Sequence, residues 1–159
     1  MSVSEFFNKT FANRWTEIAL ICDHRQFTYQ ELYGLTLALS LWLKGNGCHA
    51  GDTVALKLPN GWAFVVSYLA CILGLYRIIP VNVELNLEDQ SYILSRTMPS
   101  FILENEDVVQ SLTPLVQSKP CFSLNDTDIA AIFFTSGTTG RPKGVAHRLG
   151  SLVNNVLSF

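Results

Sequence analysis

The sequence predicts an α/β protein in which helices flank a mainly parallel sheet, giving three layers. Segments with strand character alternate with helical segments from residue 53 onward, and this order is typical of βαβ units. The helical segment 62–76 is apolar almost throughout, as a helix inside a layered fold can be. The run 129–134 holds only apolar residues, which is typical of a strand covered on both faces.

The overall composition narrows the class of protein. Hydrophobic residues make up 48% of the 159 residues, which excludes a disordered chain. The 11 Lys and Arg against 13 Asp and Glu leave a net charge of −2, which argues against a nucleic-acid partner. Charged residues are only 15% of the chain, whereas soluble domains average about 25%. Either part of the chain contacts a membrane, or it buries faces that an isolated domain of this size would expose.

The N-terminal third is predicted to contain two helices and a pair of short strands. The helices span 3–15 and 28–44, and the strands span 18–22 and 26–28. Thr28 and Glu31 have the spacing of a capping box, in which the hydroxyl accepts from the third helical amide while the carboxylate reaches back. The glycines in 45–47 stop this second helix.

The rest of the chain alternates strands with helices. The predicted strands are 53–58, 78–83, 100–103 and 129–134, and the predicted helices are 62–76, 87–97 after the cap Asn86, a weak one at 105–116, and one that starts at 149. A polar connection, 118–128, and a Gly/Thr loop, 135–144, flank the last strand. A membrane span needs about 20 apolar residues, and 61–76 is shorter than that. A buried helix, and no stable membrane span, is therefore predicted.

The cysteines carry no sign of a metal site or a disulfide framework. The four are Cys22, Cys48, Cys71 and Cys121, with neither a CxxC pair nor zinc-ligand spacing. Residues 1–9 lack the basic and apolar regions of a signal peptide. The sequence therefore predicts reduced, mostly buried thiols in a cytoplasmic protein.

The segment 129–147 carries the chemistry of the chain, with a predicted layout of buried strand, polar loop and helix. Its loop contains the glycines Gly137, Gly140 and Gly144, the hydroxyls of Thr135, Ser136, Thr138 and Thr139, and the cations Arg141 and Lys143. Glycines let backbone amides approach an anion closely, and hydroxyls and lysine bind phosphate oxygens. The carboxyl end of a parallel strand is where α/β sheets usually bind ligands. The loop is therefore predicted to bind phosphate.

A Walker A motif does not account for this loop. That motif requires Gly-x₄-Gly-Lys-Ser/Thr, but Pro142 stands five residues after Gly137 and Arg141 follows Gly140. A P-loop NTPase is therefore disfavoured.

The loop resembles a family signature. The sequence TSGTTGRPKGV at 135–145 is similar to the phosphate loop of the adenylate-forming (AMP-binding) superfamily, which includes acyl-CoA synthetases, peptide-synthetase adenylation domains and beetle luciferases. Upstream segments resemble the family in the same order: FTYQEL at 27–32, GDTVALKLPN at 51–60, IPVN at 79–82 and DIA at 128–130.

The resemblance implies a ligase similar to the acyl-CoA synthetases of fatty acid metabolism. ATP and Mg²⁺ would convert a small carboxylic acid to an acyl-adenylate, and the acyl group would pass to coenzyme A or a carrier pantetheine. The implied nucleotide-binding residues are Thr135, Ser136, Gly137, Thr138, Thr139, Gly140, Arg141, Pro142 and Lys143, with Thr138 linked to Mg²⁺. Lys143 would act electrostatically and Arg141 peripherally. His147 is interpreted as a solvated histidine at the start of the last helix.

The resemblance also implies that the chain is incomplete. Residues 1–159 are expected to form the N-terminal portion of a large adenylation domain. The C-terminal remainder is expected to be absent from the chain and to be one of its partners. No complete catalytic set is expected in the chain, so the alternative is a non-catalytic fragment that at most binds nucleotide or pyrophosphate. Missing covering elements would explain the low charge, and we expect the isolated chain to expose apolar surface and aggregate.

Overall fold

The computed structural model describes residues 1–115, 120–135 and 141–157. In these ranges the helices are α1 (Val3–Asn13), α2 (Tyr29–Gly45), α3 (Trp62–Leu73), α4 (Leu87–Thr97), α5 (Glu106–Gln110) and α6 (Leu149–Leu157). The strands are β1 (Ile18–Cys22), β2 (Arg25–Thr28), β3 (Thr53–Leu56), β4 (Arg77–Pro80), β5 (Phe101–Leu103), β6 (Ile129–Thr135) and β7 (Lys143–Arg148).

Five of the strands form one sheet in the order β5-β3-β4-β6-β7. The first four are mutually parallel, and Ile78 of β4 pairs with Ala131 of β6. Strand β7 runs antiparallel to β6 and pairs with it as far as Thr135 and Lys143. The prediction of a mainly parallel sheet is confirmed. Strands β1 and β2 form a separate antiparallel hairpin.

Helices cover both faces of the sheet, which confirms the three layers. On one face a large core joins α1, α2, α3, α5 and α6, and its centre includes Val66 and Cys71 of α3, both 0% exposed. On the other face Ile93 of α4 packs with Ala55, Ile79 and Val81. In the described part of the chain, no helix has both the length and the apolar character needed to cross a membrane.

Helix starts follow local capping chemistry. The Glu31 amide donates to Thr28 Oγ1 at 3.2 Å, and the Thr28 amide donates to Glu31 Oε2 at 2.8 Å, which confirms the capping box. At α4 the Asp89 amide donates to Asn86 Oδ1 at 2.8 Å, so the predicted cap at Asn86 is also confirmed.

Helix α3 ends at Leu73, earlier than the predicted residue 76. The Leu75 amide donates to the Ile72 carbonyl and the Tyr76 amide donates to the Cys71 carbonyl, which is the Schellman pattern of helix termination. Leu75 occupies the left-handed position of that pattern with φ 60°. The side chain of Tyr76 folds back over Gly74, where a Cβ would lie 2.3 Å from the ring.

Helix α1 holds the chain that leads into β6. Asn8 Nδ2 donates to the Phe122 carbonyl at 2.9 Å and the Phe122 amide donates to Asn8 Oδ1 at 2.8 Å. Ser4 makes the same reciprocal pair with the backbone of Leu124, at 2.9 and 2.7 Å. The polar side of α1 therefore binds the segment that leads into β6.

Three expectations about buried and local structure are wrong. The weak helix predicted at 105–116 is only α5, five residues long. Strand β6 is buried at Ala130 and Ala131, but the side chains that follow are half-buried. The thiols are all free, yet only two are buried: Cys48 and Cys71 are buried, Cys22 is half-buried and Cys121 is exposed.

Candidate functional site

A cleft of about 510 Å³ lies along the carboxyl edge of the parallel strands. Its walls are the segments 58–60 after β3, 80–84 at the end of β4 and 133–134 near the end of β6, together with Phe64 of α3. These segments meet because neighbouring parallel strands end at the same edge of a sheet. The cleft is therefore in the position that α/β proteins use for ligands.

The strand β6 side chains at the cleft alternate between the faces of the sheet. Phe134 packs with Ile132 against the core beneath α4. Phe133 points to the opposite face, where its ring meets that of His147 edge-on at 5.3 Å. His147 thus lies on β7, half-buried against an aromatic ring, and the interpretation of a solvated histidine at a helix start is wrong.

The predicted phosphate loop leaves the sheet at this same edge. Its flanks, Thr135 and Lys143, are paired across β6 and β7, and both side chains are exposed. The loop therefore connects two strands, and the predicted layout of strand, loop and helix is wrong. The segment KGVAHR lacks an apolar pattern, so the sequence carried no signal for β7 as a strand.

Five of the predicted loop residues lie outside the described residues. They are Ser136, Gly137, Thr138, Thr139 and Gly140, and the predicted Mg²⁺ contact at Thr138 lies outside with them. The flanking residues that the structure does describe are Thr135, Arg141, Pro142 and Lys143. The side chain of Arg141 extends to α4, where its guanidinium lies over the ring of Tyr92, 5.3 Å from the ring centre.

Gly144 allows β7 to pack closely against Phe134 of β6, which lines the cleft. A Cβ at this position would lie 3.0 Å from Phe134 Cζ and 3.2 Å from Ile132 Cγ2. A larger residue would push these side chains away from the core beneath α4. The glycine therefore keeps the start of β7 close to Phe134.

Charges of opposite sign lie on two segments near the carboxyl edge. Arg141 and Lys143 lie on the flank of the loop and do not line the cleft, whereas Glu84 on the β4 to α4 connection is the charged residue among those that line it. In the described part of the chain, no carboxylate lies within salt-bridge distance of Lys143. The same ranges hold no group of three His, Cys, Asp or Glu side chains arranged to bind a metal ion.

Two asparagines at the cleft were not predicted as site residues. Asn60 follows the end of β3, and Asn82 follows β4, where its Oδ1 accepts from the Glu84 amide at 2.9 Å. Each stands one or two residues after a proline, Pro59 beyond the end of β3 and Pro80 at the end of β4. The rule that ligands bind at the carboxyl edge of parallel strands could have identified both.

Comparison with known families gives one decisive match. The family model described as "AMP-binding enzyme" matches residues 7–159. The chain belongs to the AMP-binding enzyme family. The resemblance found in the segment 135–145 and in the segments upstream of it is thereby confirmed, and the relatives of the chain are adenylate-forming enzymes.

The relatives within the AMP-binding family include two kinds of enzyme. A 2-succinylbenzoate–CoA ligase of Bacillus licheniformis is 31% identical over 89% of this chain and 34% of its own length. A dimodular nonribosomal peptide synthase of Bacillus subtilis is 30% identical over 100% of this chain and 8% of its own length. The chain thus spans about a third of the ligase.

Solved structures in the AMP-binding family share the fold. The N-terminal subdomain of Klebsiella oxytoca NpsA, in complex with 3-hydroxybenzoyl-AMSN, has a TM-score of 0.78 with 26% identity and covers 92% of this chain and 41% of its own. O-succinylbenzoate coenzyme A synthetase (MenE) from Bacillus subtilis, in complex with AMP, has a TM-score of 0.83 with 23% identity over 96% and 44%.

Proposed function

We propose that the protein takes part in ATP-dependent activation of a carboxylic acid to an acyl-adenylate, with the segment 135–143 binding the phosphates of ATP. The observation that carries this proposal is the pairing of Thr135 with Lys143 at the carboxyl edge of the sheet. This pairing places an exposed lysine opposite an exposed threonine, one residue beyond Phe134, which lines a cleft of about 510 Å³, in a chain of the AMP-binding family.

The flanks of the loop fit a polyphosphate. Lys143 has no carboxylate within salt-bridge distance among the described residues, so its charge is available to an anion. A lysine and oriented hydroxyls stabilise the charge that develops on a leaving phosphate. When bound, Mg²⁺ would neutralise further phosphate charge, and Thr138 remains the residue that we propose for it.

The second step is proposed as thioester formation. The relatives include an enzyme named as a CoA ligase and others named as nonribosomal peptide synthetases. Coenzyme A and a carrier pantetheine are therefore both acceptors to test. These names do not favour a fatty acid over other small carboxylic acids. The four free thiols support the expectation of a cytoplasmic protein.

We further propose that residues 1–159 are the N-terminal portion of the adenylation domain and that its remainder completes the active site. The chain covers 34% of the ligase relative and 41% of the NpsA subdomain. Apolar side chains on β7 and α6 are open to solvent, with Val145 47% and Val156 64% exposed. The remainder of the domain would cover such surface. The chain by itself would bind nucleotide or pyrophosphate without turnover.

Calorimetric titration of the chain with ATP·Mg²⁺ tests the binding site. We expect binding that weakens at least several-fold in Lys143→Ala, because that substitution removes the positive charge beside Thr135 at the carboxyl edge of the sheet. Lys44→Ala, at an exposed lysine in the last turn of α2, is the matched control and should bind like the wild type. Equal affinity in all three proteins would refute the role of Lys143.

Exchange of pyrophosphate into ATP tests the reaction in the protein that contains this segment together with the rest of its domain. We expect exchange that depends on a carboxylic acid from a broad panel, followed by consumption of thiol when coenzyme A or a pantetheine carrier is supplied. Absence of exchange with every acid would refute the ligase function. Turnover by residues 1–159 alone would refute the proposal that the site is completed elsewhere.

A further inference from the structure

Helix α4 contacts the segment 141–143, which is the arm of the loop that leads into β7, through a specific pair of side chains. Arg141 lies in a groove of about 540 Å³ along α4, and its guanidinium carbon stands 5.3 Å from the centre of the Tyr92 ring. Such a distance is within the range of a cation–π interaction, for which arginine is the most frequent partner. The contact joins residues 49 positions apart in sequence.

The rest of the groove favours a cation at this place. Glu88 lies one helical turn before Tyr92 and Asp89 lies beside it, and both line the groove. Asp89 also accepts from Asn86 Nδ2 at 2.9 Å, so its carboxylate is held at the start of the helix. Two negative charges and an aromatic face therefore attract the guanidinium to the same side of α4.

The position of Arg141 affects the lysine that follows it. Pro142 separates Arg141 from Lys143, and the pyrrolidine ring fixes its φ. Lys143 is held on its other side by pairing with Thr135. The segment 141–143 is thus held at one end by the sheet and at the other by α4, which fixes the backbone from which the Lys143 side chain extends.

We infer that Tyr92 is a positioning residue for the segment 141–143, acting through Arg141, so that α4 holds Lys143 ready for the nucleotide phosphates. This inference rests on the proposed function, because it assigns the arm a ligand. Pre-ordering of the arm lowers the entropy that nucleotide binding would otherwise have to overcome. Loss of the ring should therefore weaken nucleotide binding even though Tyr92 does not itself contact phosphate.

Two readouts on the whole chain test this inference. The NMR shifts of the Arg141 side-chain protons report the ring current of Tyr92, and calorimetry reports the affinity for ATP·Mg²⁺. Tyr92→Leu should abolish the ring-current shift and weaken binding about 2- to 5-fold, the range expected for an exposed cation–π pair. Tyr92→Phe keeps the ring and should restore both readouts, which also controls for folding.

A double-mutant cycle separates positioning from a general effect on stability. Adding Tyr92→Leu to Arg141→Gln should weaken binding no further than Arg141→Gln alone, because the ring acts through the guanidinium. Arg14 lies over Tyr29 at a similar 5.2 Å, on the N-terminal helix side of the fold. Arg14→Gln is therefore a matched control that should leave the affinity unchanged.

The outcomes distinguish the inference from the proposed function. Wild-type affinity in Tyr92→Leu, with the ring-current shift lost, would overturn the inference and leave the nucleotide site intact. Absence of the shift in the wild type would overturn it at the level of the contact. A wild-type chain that shows the shift but binds no nucleotide would refute the proposed function, and the pair would then be a structural contact only.

Discussion

Strands β3 and β4, in the middle of the sheet, and strand β7, at its edge, are covered very differently. Val54, Leu56 and Ile78 in the middle are 0% exposed. At the edge, Val145 is 47% exposed and the neighbouring residues of β7 are exposed too. The central strands are held by helices on both faces, whereas β7 is held chiefly by its backbone pairing with β6.

Stability and the proposed chemistry therefore belong to different parts of one sheet. Buried apolar area supplies most of the free energy of folding, and it is concentrated around β3, β4 and α3. The loop flanks are on the side with the least burial. Changes in the middle of the sheet should therefore alter the free energy of unfolding, and changes in β7 should not.

Alkaline pH should have the largest effect on the free energy of unfolding, because it ionises groups that are buried or half-buried beside the middle strands of the sheet. Burial raises the pKa of Tyr68 and of Tyr76 to about 12 and also raises the pKa of Cys71. The folded state then holds its protons more tightly than the unfolded state, so stability falls as pH rises from about 9, where a free thiol starts to ionise, through 12.

We expect cooperative loss of circular dichroism in that window, and a later onset in Tyr76→Phe. Strand β7 has neither tyrosine nor cysteine. A free energy of unfolding that stays constant from pH 8 to 11 would contradict the prediction.

A matched pair of valines compares the two regions directly. Val54→Ala removes two methyl groups from a site with 0% exposure and should cost about 2–3 kcal/mol of unfolding free energy. Val145→Ala, at a site 47% exposed, should change it by less than about 0.5 kcal/mol. Urea denaturation followed by fluorescence measures both. Equal costs would show that β7 is as well covered as β3.

Asn8→Ala should have an intermediate effect on the free energy of unfolding, through the segment that precedes β6. The substitution leaves the amide and the carbonyl of Phe122 without their partner, and these bonds are now 2.8 and 2.9 Å. We expect a loss of about 1–2 kcal/mol, since the segment can rehydrate in part. Asn8→Asp keeps the acceptor for the amide and should lose less. A neutral Asn8→Ala would mean that α1 does not hold this segment.

Val145→Lys should have the smallest effect on stability and still change behaviour in solution. A lysine on an edge strand discourages pairing with other chains, so we expect a higher protein concentration before light scattering reports aggregation. The free energy of unfolding should stay within about 0.5 kcal/mol of the wild type. If aggregation is unchanged, the exposed edge of β7 is not its cause.

The sequence predicts those features whose causes are local. Thr28 and Asn86 mark the starts of α2 and α4 because a capping side chain bonds to amides three residues away. The apolar runs identify β3 and β4, whose central residues are buried. They also identify β6, although its later side chains are only half-buried. The alternation of strands and helices along the sequence also predicts that the site lies at the carboxyl edge of the sheet.

The features that were missed depend on contacts distant in sequence. Strand β7 needs only backbone pairing with β6, so its side chains show no pattern. The contact of Arg141 with Tyr92 arises from the packing of α4 beside the loop, and nothing near either residue indicates the other. The exposed thiol of Cys121 likewise depends on where the segment before β6 lies.

The hydrogen bonds between α1 and the segment before β6 also bear on how the chain folds during synthesis. The hydrogen bonds of Ser4 cannot form until Leu124, which is 120 residues later, has been synthesised. A ribosome adds about 5–20 residues per second, so the first helix emerges roughly 6–24 s before its partner is made. Through that interval the helix has its own capping bond from Ser2 but no tertiary partner in the segment that it finally holds.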